Sequence, residues 1–522
     1  MQQIQIFDST LRDGAQAAGI SFSVEDKLKI LAALDNIGAH YIEAGNPGSN
    51  PKDLAFFDRA KKVQLKNAKL VAFGSTRRRG VDVAADDNVL SLLSTDTACV
   101  AIFGKCWDFH ASDILKVSLE ENLAMIGETV RFFKGRGKEL IFDAEHFFDG
   151  YKRNPDYAML ALKAAAEGGA DCLALCDTNG GAFPDEIYAA TKRVLDAFGL
   201  PVAIHCHDDC GMAVANSVIA VEAGATQVQG TFTGFGERCG NAALSTVIAN
   251  LQLKKRRDCI PPENMAELTP TARLIAEIAN VSLSEREPYV GKMAFTHKAG
   301  MHIDGVTKAS HSFEHISPDA VGNERRFLMS EVAGRSGVIG QIKKIAPDIT
   351  KDAPETAAVI ARLKELEHEG YQFEAAESTI GLIIRKVLGK YKPFFELVNF
   401  KIIDEQPYAA GQSTSALIKV IVDGKEEITA AEGDGPVNAL DKALRKALEV
   451  FYPQLSNVHL TDYKVRVLDS GQATASKVRV LIESTDGTDA WTTVGVSTDI
   501  IEASWIALVD SIEHKLIKDL ER

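Results

Sequence analysis

Short apolar runs recur through the first half of the chain, and amphipathic stretches fill the gaps between them. Ile4–Phe7, Tyr41–Glu43, Leu70–Phe73, Val100–Phe103, Leu140–Asp143, Cys172–Leu175, Val202–His205 and Gln227–Gly230 read as strands. Val24–Ile37, Leu119–Phe133, Tyr157–Glu167 and Val214–Glu222 carry apolar residues at helical spacing. Eight strand–helix units in about 250 residues predict a (β/α)8 TIM barrel, an α/β fold, rather than an open doubly wound sheet. No Gly-x-Gly-x-x-Gly follows a strand, so nothing marks a dinucleotide site.

After the barrel the pattern changes twice. Residues 265–395 read as mainly helical, with loops around Ser310–Glu324. From residue 396 onward a β–turn–β–helix unit occurs twice. Leu417–Val422 and Lys477–Ile482 are strands followed by Asp423-Gly424 and Asp486-Gly487 turns. Second strands then lead through Gly433-Asp434-Gly435-Pro436 and Gly495-Val496-Ser497-Thr498 into helices at Val437–Glu449 and Asp499–Ile517. Glycine-rich helix starts of this kind offer free backbone N–H groups to an anion. The expected domains are a catalytic barrel at 1–264, linker subdomains at 265–395 and an α+β module with an internal ββα repeat at 396–522.

Composition narrows the class. A chain of 522 residues suggests several domains, and 46% hydrophobic with 25% charged residues is ordinary for globular cores. A net charge of −14 argues against nucleic acid as the main partner. Lys254-Lys255-Arg256-Arg257 closes a helix, where cations favour the dipole. Arg77-Arg78-Arg79 follows a strand, where it is either solvated or meets a phosphate or carboxylate. Met1–Phe7 reads as a strand rather than a leader, and no apolar run is long enough for a membrane span. Eight cysteines in so long a chain point to thiols in a reducing, cytoplasmic compartment. Cys172, Cys176, Cys206, Cys210 and Cys239 are expected to be buried packing residues; Cys206 points away from its neighbours His205 and His207.

Polar residues gather at the C-terminal ends of the predicted strands, the catalytic face of such a barrel. They are Asp8 with Arg12-Asp13, Asp143-x-Glu145, Asp177-Thr178-Asn179, His205-x-His207 and Gly234-x-Gly236-Glu237-Arg238. Alternation puts His205 and His207 on one side of their strand, within reach of one ion shared with Asp13. This mixed N/O set suits Zn, Mn, Co or Mg. Such a site polarises a carbonyl, and Arg12 adds a fixed cation for the oxyanion.

Phe7-Asp8-Ser9-Thr10-Leu11-Arg12-Asp13-Gly14-Ala15-Gln16 resembles the first signature of the acetyl-CoA-dependent 2-oxoacid synthases of the DRE-TIM metallolyase superfamily. His205-Cys206-His207-Asp208-Asp209-Cys210-Gly211-Met212-Ala213 and Gly234-Phe235-Gly236-Glu237-Arg238-Cys239-Gly240-Asn241 resemble its later signatures. Pro47–Asp53, Phe73–Arg78, Phe103–Lys105 with Trp107–His110, and Asp143–Tyr151 are most similar to the long-form citramalate synthases.

The resemblance implies a divalent metal on Asp13, His205 and His207, with Asn241 on or beside it. It implies that Thr178 binds the oxoacid carboxylate, that Arg12 binds substrate and steadies charge, and that Glu145 is a catalytic carboxylate. Phe295–Gly305 resembles the post-barrel motif, which makes His302 the base that deprotonates acetyl-CoA, sets Asp304 near it or near the CoA, and leaves His297 structural. Gly334-Arg335-Ser336-Gly337-Val338 fits the linker subdomains. The implied reaction joins acetyl-CoA to pyruvate, toward isoleucine, with isoleucine as feedback effector of the C-terminal domain. A homodimer with composite active sites is also implied. The alternatives are 2-isopropylmalate or homocitrate synthesis and, more remotely, 3-hydroxyacyl-CoA cleavage, whose reactive-cysteine loop Cys239 does not match.

Overall fold

Eight parallel strands close on themselves in chain order, with the last hydrogen-bonded to the first. They are β1 (Gln5–Asp8), β2 (Tyr41–Glu43), β3 (Lys69–Ser75), β4 (Cys99–Lys105), β5 (Glu139–Glu145), β6 (Cys172–Asp177), β7 (Val202–Cys206) and β8 (Gln227–Gly230). The helices around them are α1 (Val24–Ile37), α2 (Pro51–Ala60), α3 (Asp87–Ser94), α4 (Leu119–Lys134), α5 (Phe147–Arg153), α6 (Pro155–Gly168), α7 (Pro184–Phe198), α8 (Ala213–Ala223) and α9 (Leu244–Ala249), with α10 (Leu268–Ile278) after them. Local sequence sets their ends. Ser23 and Asp26 form a reciprocal capping box at the start of α1, and Gly38, at φ 103°, ends it. The computed structural model describes residues 3–298, 300–327, 335–373, 376–404, 414–468 and 476–521. Among them no helix is long and apolar enough to cross a membrane.

The period-two pleat divides each barrel strand between two cores. Outward residues such as Ile6, Ile42, Ala72, Ile102 and Ile204 join the large shell packed under the helices. Inward residues Phe7, Tyr41, Val71, Ala101, Ile141, Ala174 and Ala203 fill the barrel. Two residues further along the same inward faces, the apolar plug gives way to polar groups. Tyr41 is followed by Glu43, Ile141 by Asp143 and Glu145, and Ala203 by His205 and His207. All five of these polar residues sit at the C-terminal rim.

Contact clustering divides the chain into two units, residues 1–295 with 316–325 and residues 296–315 with 326–522. The second holds a two-residue strand pair, β9 (Thr296–His297) and β10 (Arg326–Phe327), and the helices α11 (Gly300–Lys308), α12 (Arg335–Ile345), α13 (Pro354–Glu369) and α14 (Glu377–Val387). Gly334 of the expected linker run lies outside the described residues, and the rest of that run opens α12.

The C-terminal repeat has one more strand per copy than the sequence pattern suggests. The first copy is β11 (Glu396–Asp404), β12 (Thr414–Val422), β13 (Lys425–Gly433) and α15 (Pro436–Leu448). The second is β14 (His459–Val467), β15 (Val478–Thr485), β16 (Ala490–Ser497) and α16 (Ile500–Glu521). The leading strands β11 and β14 are mostly exposed, although Phe400 and Ile402 alternate with Asn399 and Lys401 and pack on the core, and Tyr463, Val465 and Val467 alternate with Lys464 and Arg466. Each copy forms an antiparallel three-stranded sheet, and both contribute to one core with α15 and α16. A second core joins α12, α13 and α14 to Val494 of β16.

The structure corrects the expectation for two cysteines and gives partners to the basic run and to the glycines at the helix starts. Arg77 is buried and bonded to Glu121 and Glu128, while Arg78 is bonded to Asp86 and Asp87, so the basic run is largely consumed internally. Cys172, Cys176 and Cys206 are buried as expected, but Cys210 and Cys239 are exposed because they lie in the loops after β7 and β8. Gly433 and Gly495 serve close packing. A Cβ there would meet Ala439 N at 2.4 Å and Ala503 O at 2.0 Å respectively. At α16, the Asp499 carboxylate already takes the Ile501 N–H, at 2.7 Å.

Candidate active site

Asp13 follows β1, His205 lies within β7, and His207 stands just past it, paired by a β-bridge with Asn241. Their side chains converge. Asp13 Oδ2 is 3.4 Å from His205 Nε2 and 3.9 Å from His207 Nε2, and the two Nε2 atoms are 3.4 Å apart. All three residues are buried, and among the described residues they form the one group of this kind able to hold a metal ion.

Two further observations show that the residues present fit a divalent cation. Asn241 donates its Nδ2 to the Phe235 carbonyl at 3.1 Å, which leaves its buried Oδ1 with no hydrogen-bond partner beside His207. A buried acceptor without a donor is costly, and a cation satisfies it. The loop is shaped around this amide: a Cβ on Gly236 would meet Asn241 Nδ2 at 2.2 Å, and Gly240 at φ 92° would meet Gly234 O at 2.0 Å. Charge points the same way. Asp13, Glu43 and Asp143 are buried together, and the Arg12 guanidinium stands against all three.

Electrostatics follows from this crowding. Burial works against an ionised Asp13, but Arg12 and the two imidazoles outweigh it and hold the carboxyl well below the usual range. Burial also opposes charge on His205, yet its bond to Asp13 prevails and raises it. His207 is lowered to about 4 by burial and by the neighbouring His205. Asp143 is pushed up to about 7 by burial and then by the charge of Glu43.

Arg12 is held on three sides. Its Nε donates to Glu43 Oε2 at 2.6 Å, its Nη1 lies 3.1 Å from Asp13 Oδ2, and its Cζ sits 3.8 Å from the centre of the Phe73 ring. A cavity of about 360 Å3 opens onto it, walled also by Asp13, Glu145, Thr178, His205 and His207. Glu145 pairs with Lys105. The Thr178 hydroxyl accepts the His146 N–H at 2.9 Å, which leaves its own proton to donate. Arg238 grips Asp209 with two bonds of 2.9 Å and donates to the Thr178 carbonyl at 2.8 Å, tying together the loops after β6, β7 and β8.

His302 and Asp304 belong to α11 in the second unit. The His302 ring stacks on Phe313 with 4.2 Å between centroids, and Asp304 accepts Lys308 Nζ at 2.6 Å. Two residues apart on a helix, they face different ways. His297 is buried and bonded to Glu314 at 3.1 Å.

Sequence reasoning missed two buried participants. Glu43 ends β2 and anchors Arg12; the signal was an acid at the last position of a barrel strand. Gln229, on β8, lies against His205; its signal was a pair of glutamines, Gln227 and Gln229, on alternate positions of an otherwise small or apolar strand.

Comparison with known proteins gives the family. The HMGL-like family model matches residues 3–275, the homocitrate synthase post-HMGL domain-like model 289–371, and the LeuA allosteric (dimerisation) domain 374–516. The (R)-citramalate synthase of Aquifex aeolicus is 52% identical over 100% of this chain and 99% of its own. That of Geobacter sulfurreducens is 49% identical over 100% and 99%, and that of Synechocystis 48% over 98% and 96%. The chain belongs to the HMGL-like, DRE-TIM metallolyase family, in its citramalate synthase branch.

Proposed function

We propose that the chain condenses acetyl-CoA with pyruvate and hydrolyses the thioester, giving citramalate and CoA, on the way to isoleucine. The observation that carries this is similarity of 48–52% along the whole length to (R)-citramalate synthases. The buried Asp13–His205–His207 cluster supports it chemically. A divalent ion held there, with Asn241 as a further ligand, supplies Lewis-acid polarisation of the oxoacid ketone.

The side chains supply the rest. Thr178 donates its hydroxyl proton to the oxoacid carboxylate, and Arg12 faces the ketone oxygen as charge develops. His302 takes a methyl proton from acetyl-CoA, and Asp304 stands with the CoA. The methyl carbon then bonds to the ketone carbon as the π electrons pass to the ketone oxygen, which takes up a proton in place of the one His302 removed. Glu145, fixed by Lys105, orients water for attack on the thioester carbonyl, and the thiol leaves with a proton. The match to the LeuA allosteric (dimerisation) domain supports a homodimer with composite sites and isoleucine as an inhibitor acting through residues 374–516. Eight free cysteines support a reducing, cytoplasmic setting.

The test is release of CoA thiol from acetyl-CoA with pyruvate, 2-oxoisovalerate, 2-oxobutyrate or 2-oxoglutarate offered separately. Pyruvate is expected to give the largest kcat/KM. Preference for 2-oxoisovalerate would move the chain to isopropylmalate synthesis, an alternative that the full-length relatives do not favour. Adding isoleucine to the pyruvate assay should lower the rate.

A further inference from the structure

Behind His205 lies a second pair of polar residues that no role above uses. His205 Nδ1 is 3.2 Å from Gln229 Oε1, and Gln229 Nε2 donates to Asp143 Oδ1 at 3.2 Å. Gln229 is fully buried and Asp143 nearly so, so water does not compete for these bonds. We propose that Gln229 and Asp143 form a relay that fixes the proton of His205 on Nδ1, and thereby keeps Nε2 as the electron-pair donor to the ion. The inference rests on the metal reading of Asp13, His205 and His207.

The argument runs from the acceptor outward. In the structure Asp143 Oδ1 accepts from the side-chain amide of Gln229, a bond that favours its ionised form. The amide of Gln229 therefore turns its NH2 toward Asp143, and its carbonyl oxygen must face His205. A carbonyl can only accept, so His205 Nδ1 must hold the proton. With the proton of Nδ1 held, Nε2 is the nitrogen left to give up its proton to Asp13 or solvent and bind an ion, and it points at Asp13 and His207. Metal-bound imidazoles usually donate their other N–H to a carboxylate or carbonyl, and here an amide passes on the constraint of a carboxylate one residue further back. His207 offers the contrast inside the same molecule: its Nδ1 is buried with no hydrogen-bond partner, so nothing in the described structure pins its tautomer. The two imidazoles are unequal by design of their surroundings.

The relay predicts a specific rescue. Gln229→Leu removes the acceptor for His205 and should weaken zinc binding by about 10- to 100-fold. Gln229→Glu combined with Asp143→Asn exchanges amide and carboxylate at nearly constant shape and charge. The new Asn donates to the new Glu, whose other oxygen still accepts from His205. Zinc binding by the full-length chain, measured by competition with a chromophoric chelator, should return to within about threefold of wild type. A second readout uses the zinc-loaded proteins labelled with 15N-histidine. The slowly exchanging His205 Nδ1–H should persist in wild type and in the exchanged pair and vanish in Gln229→Leu. A Gln229→Leu protein that binds zinc as wild type does, or an exchanged pair as weak as Gln229→Leu, would overturn the relay alone. A wild-type chain that takes up none of zinc, manganese, cobalt and magnesium would remove the metal reading itself.

Discussion

Glu43→Gln probes how the Arg12 guanidinium is held. The native carboxylate is fully buried and accepts Arg12 Nε at 2.6 Å and the Ser9 hydroxyl at 2.5 Å through the same oxygen. Glutamine keeps the volume and one acceptor oxygen, so no cavity opens. What changes is the charge of the acceptor. A hydrogen bond to an ionised group contributes about 1 kcal/mol more than a neutral one, so two such bonds lose about 2 kcal/mol. An opposing effect acts on the fold. Glu43 is one of the charges that push Asp8 and Asp143 up to about 7, and neutralising it relieves that repulsion. The relief is present with or without substrate, whereas a loosened Arg12 matters most when charge develops on the oxyanion. Stability should therefore change by less than about 1 kcal/mol while kcat/KM for pyruvate falls about 30-fold, mainly in kcat. Glu43→Ala, which leaves the partly buried Arg12 with one ion pair, to Asp13, and the more distant charge of Asp143, should cost the fold about 3 kcal/mol and serves as the upper reference. Thiol release under initial-rate conditions and urea unfolding measure the two quantities. A Gln variant with kcat/KM within threefold of wild type, or one whose loss appears only in KM, would refute the reasoning.

Asp13→Asn and His207→Ala should each remove turnover and tight divalent-metal uptake together; full activity of chelated His207→Ala protein would end the metal reading. His302→Ala should abolish exchange of the acetyl-CoA methyl protons into deuterated water and leave pyruvate binding nearly intact, and persisting exchange would send the search for the base to His297. Glu513, buried on α16 and accepting the Phe394 N–H at 3.0 Å, is raised by burial from 4.5 to about 7, so its contribution to stability is fully present below 4.5 and is lost as pH rises through about 7. Glu513→Gln should accordingly gain up to about 3 kcal/mol on wild type between pH 5 and pH 8 in urea unfolding, and an unchanging gap would contradict it. Ending the chain at Asn399 takes Val494 away from the core it shares with Ile380, Ile383 and Ile384 of α14. Helices α12–α14 should then lose protection in hydrogen exchange, and a truncated chain that keeps them protected would refute this.

The barrel was legible because its signal is repetitive: eight apolar runs, each with a helix, leave little choice of fold, and β2 and β8 begin and end where the pattern placed them. The metal cluster was legible for a different reason. His205 and His207 share a strand, so their spacing alone states that they face one way. Glu43 and Gln229 were hidden because their partners lie 31 and 24 residues away in sequence, and only the pairing of β1 with β2 and of β7 with β8 brings each to its neighbour. Arg77 shows the converse: a basic run looks like an anion site until the acids of α4, 44 and 51 residues on, are found to hold it. The strands β11 and β14 were legible too, through alternations such as Tyr463-Lys464-Val465-Arg466-Val467, but the ββα repeat was drawn without them.

The same parity explains why the chemistry sits where it does. Phe7, Ile141 and Ala203 must be apolar to fill a barrel closed at that level, so their strands can turn polar inward groups only toward the C-terminal rim. There the inward faces bring carboxylates from β2, β5 and the loop after β1 into one buried space with a single guanidinium. Burying these acids costs stability unless something offsets it, and Asp143, pushed up to about 7 by burial and then by the charge of Glu43, shows both contributions. A divalent cation on Asp13, His205 and His207 offsets that cost. By this argument metal uptake and the stability of the barrel are linked quantities, and binding of the ion should raise the melting temperature of the first unit as well as switch on its chemistry.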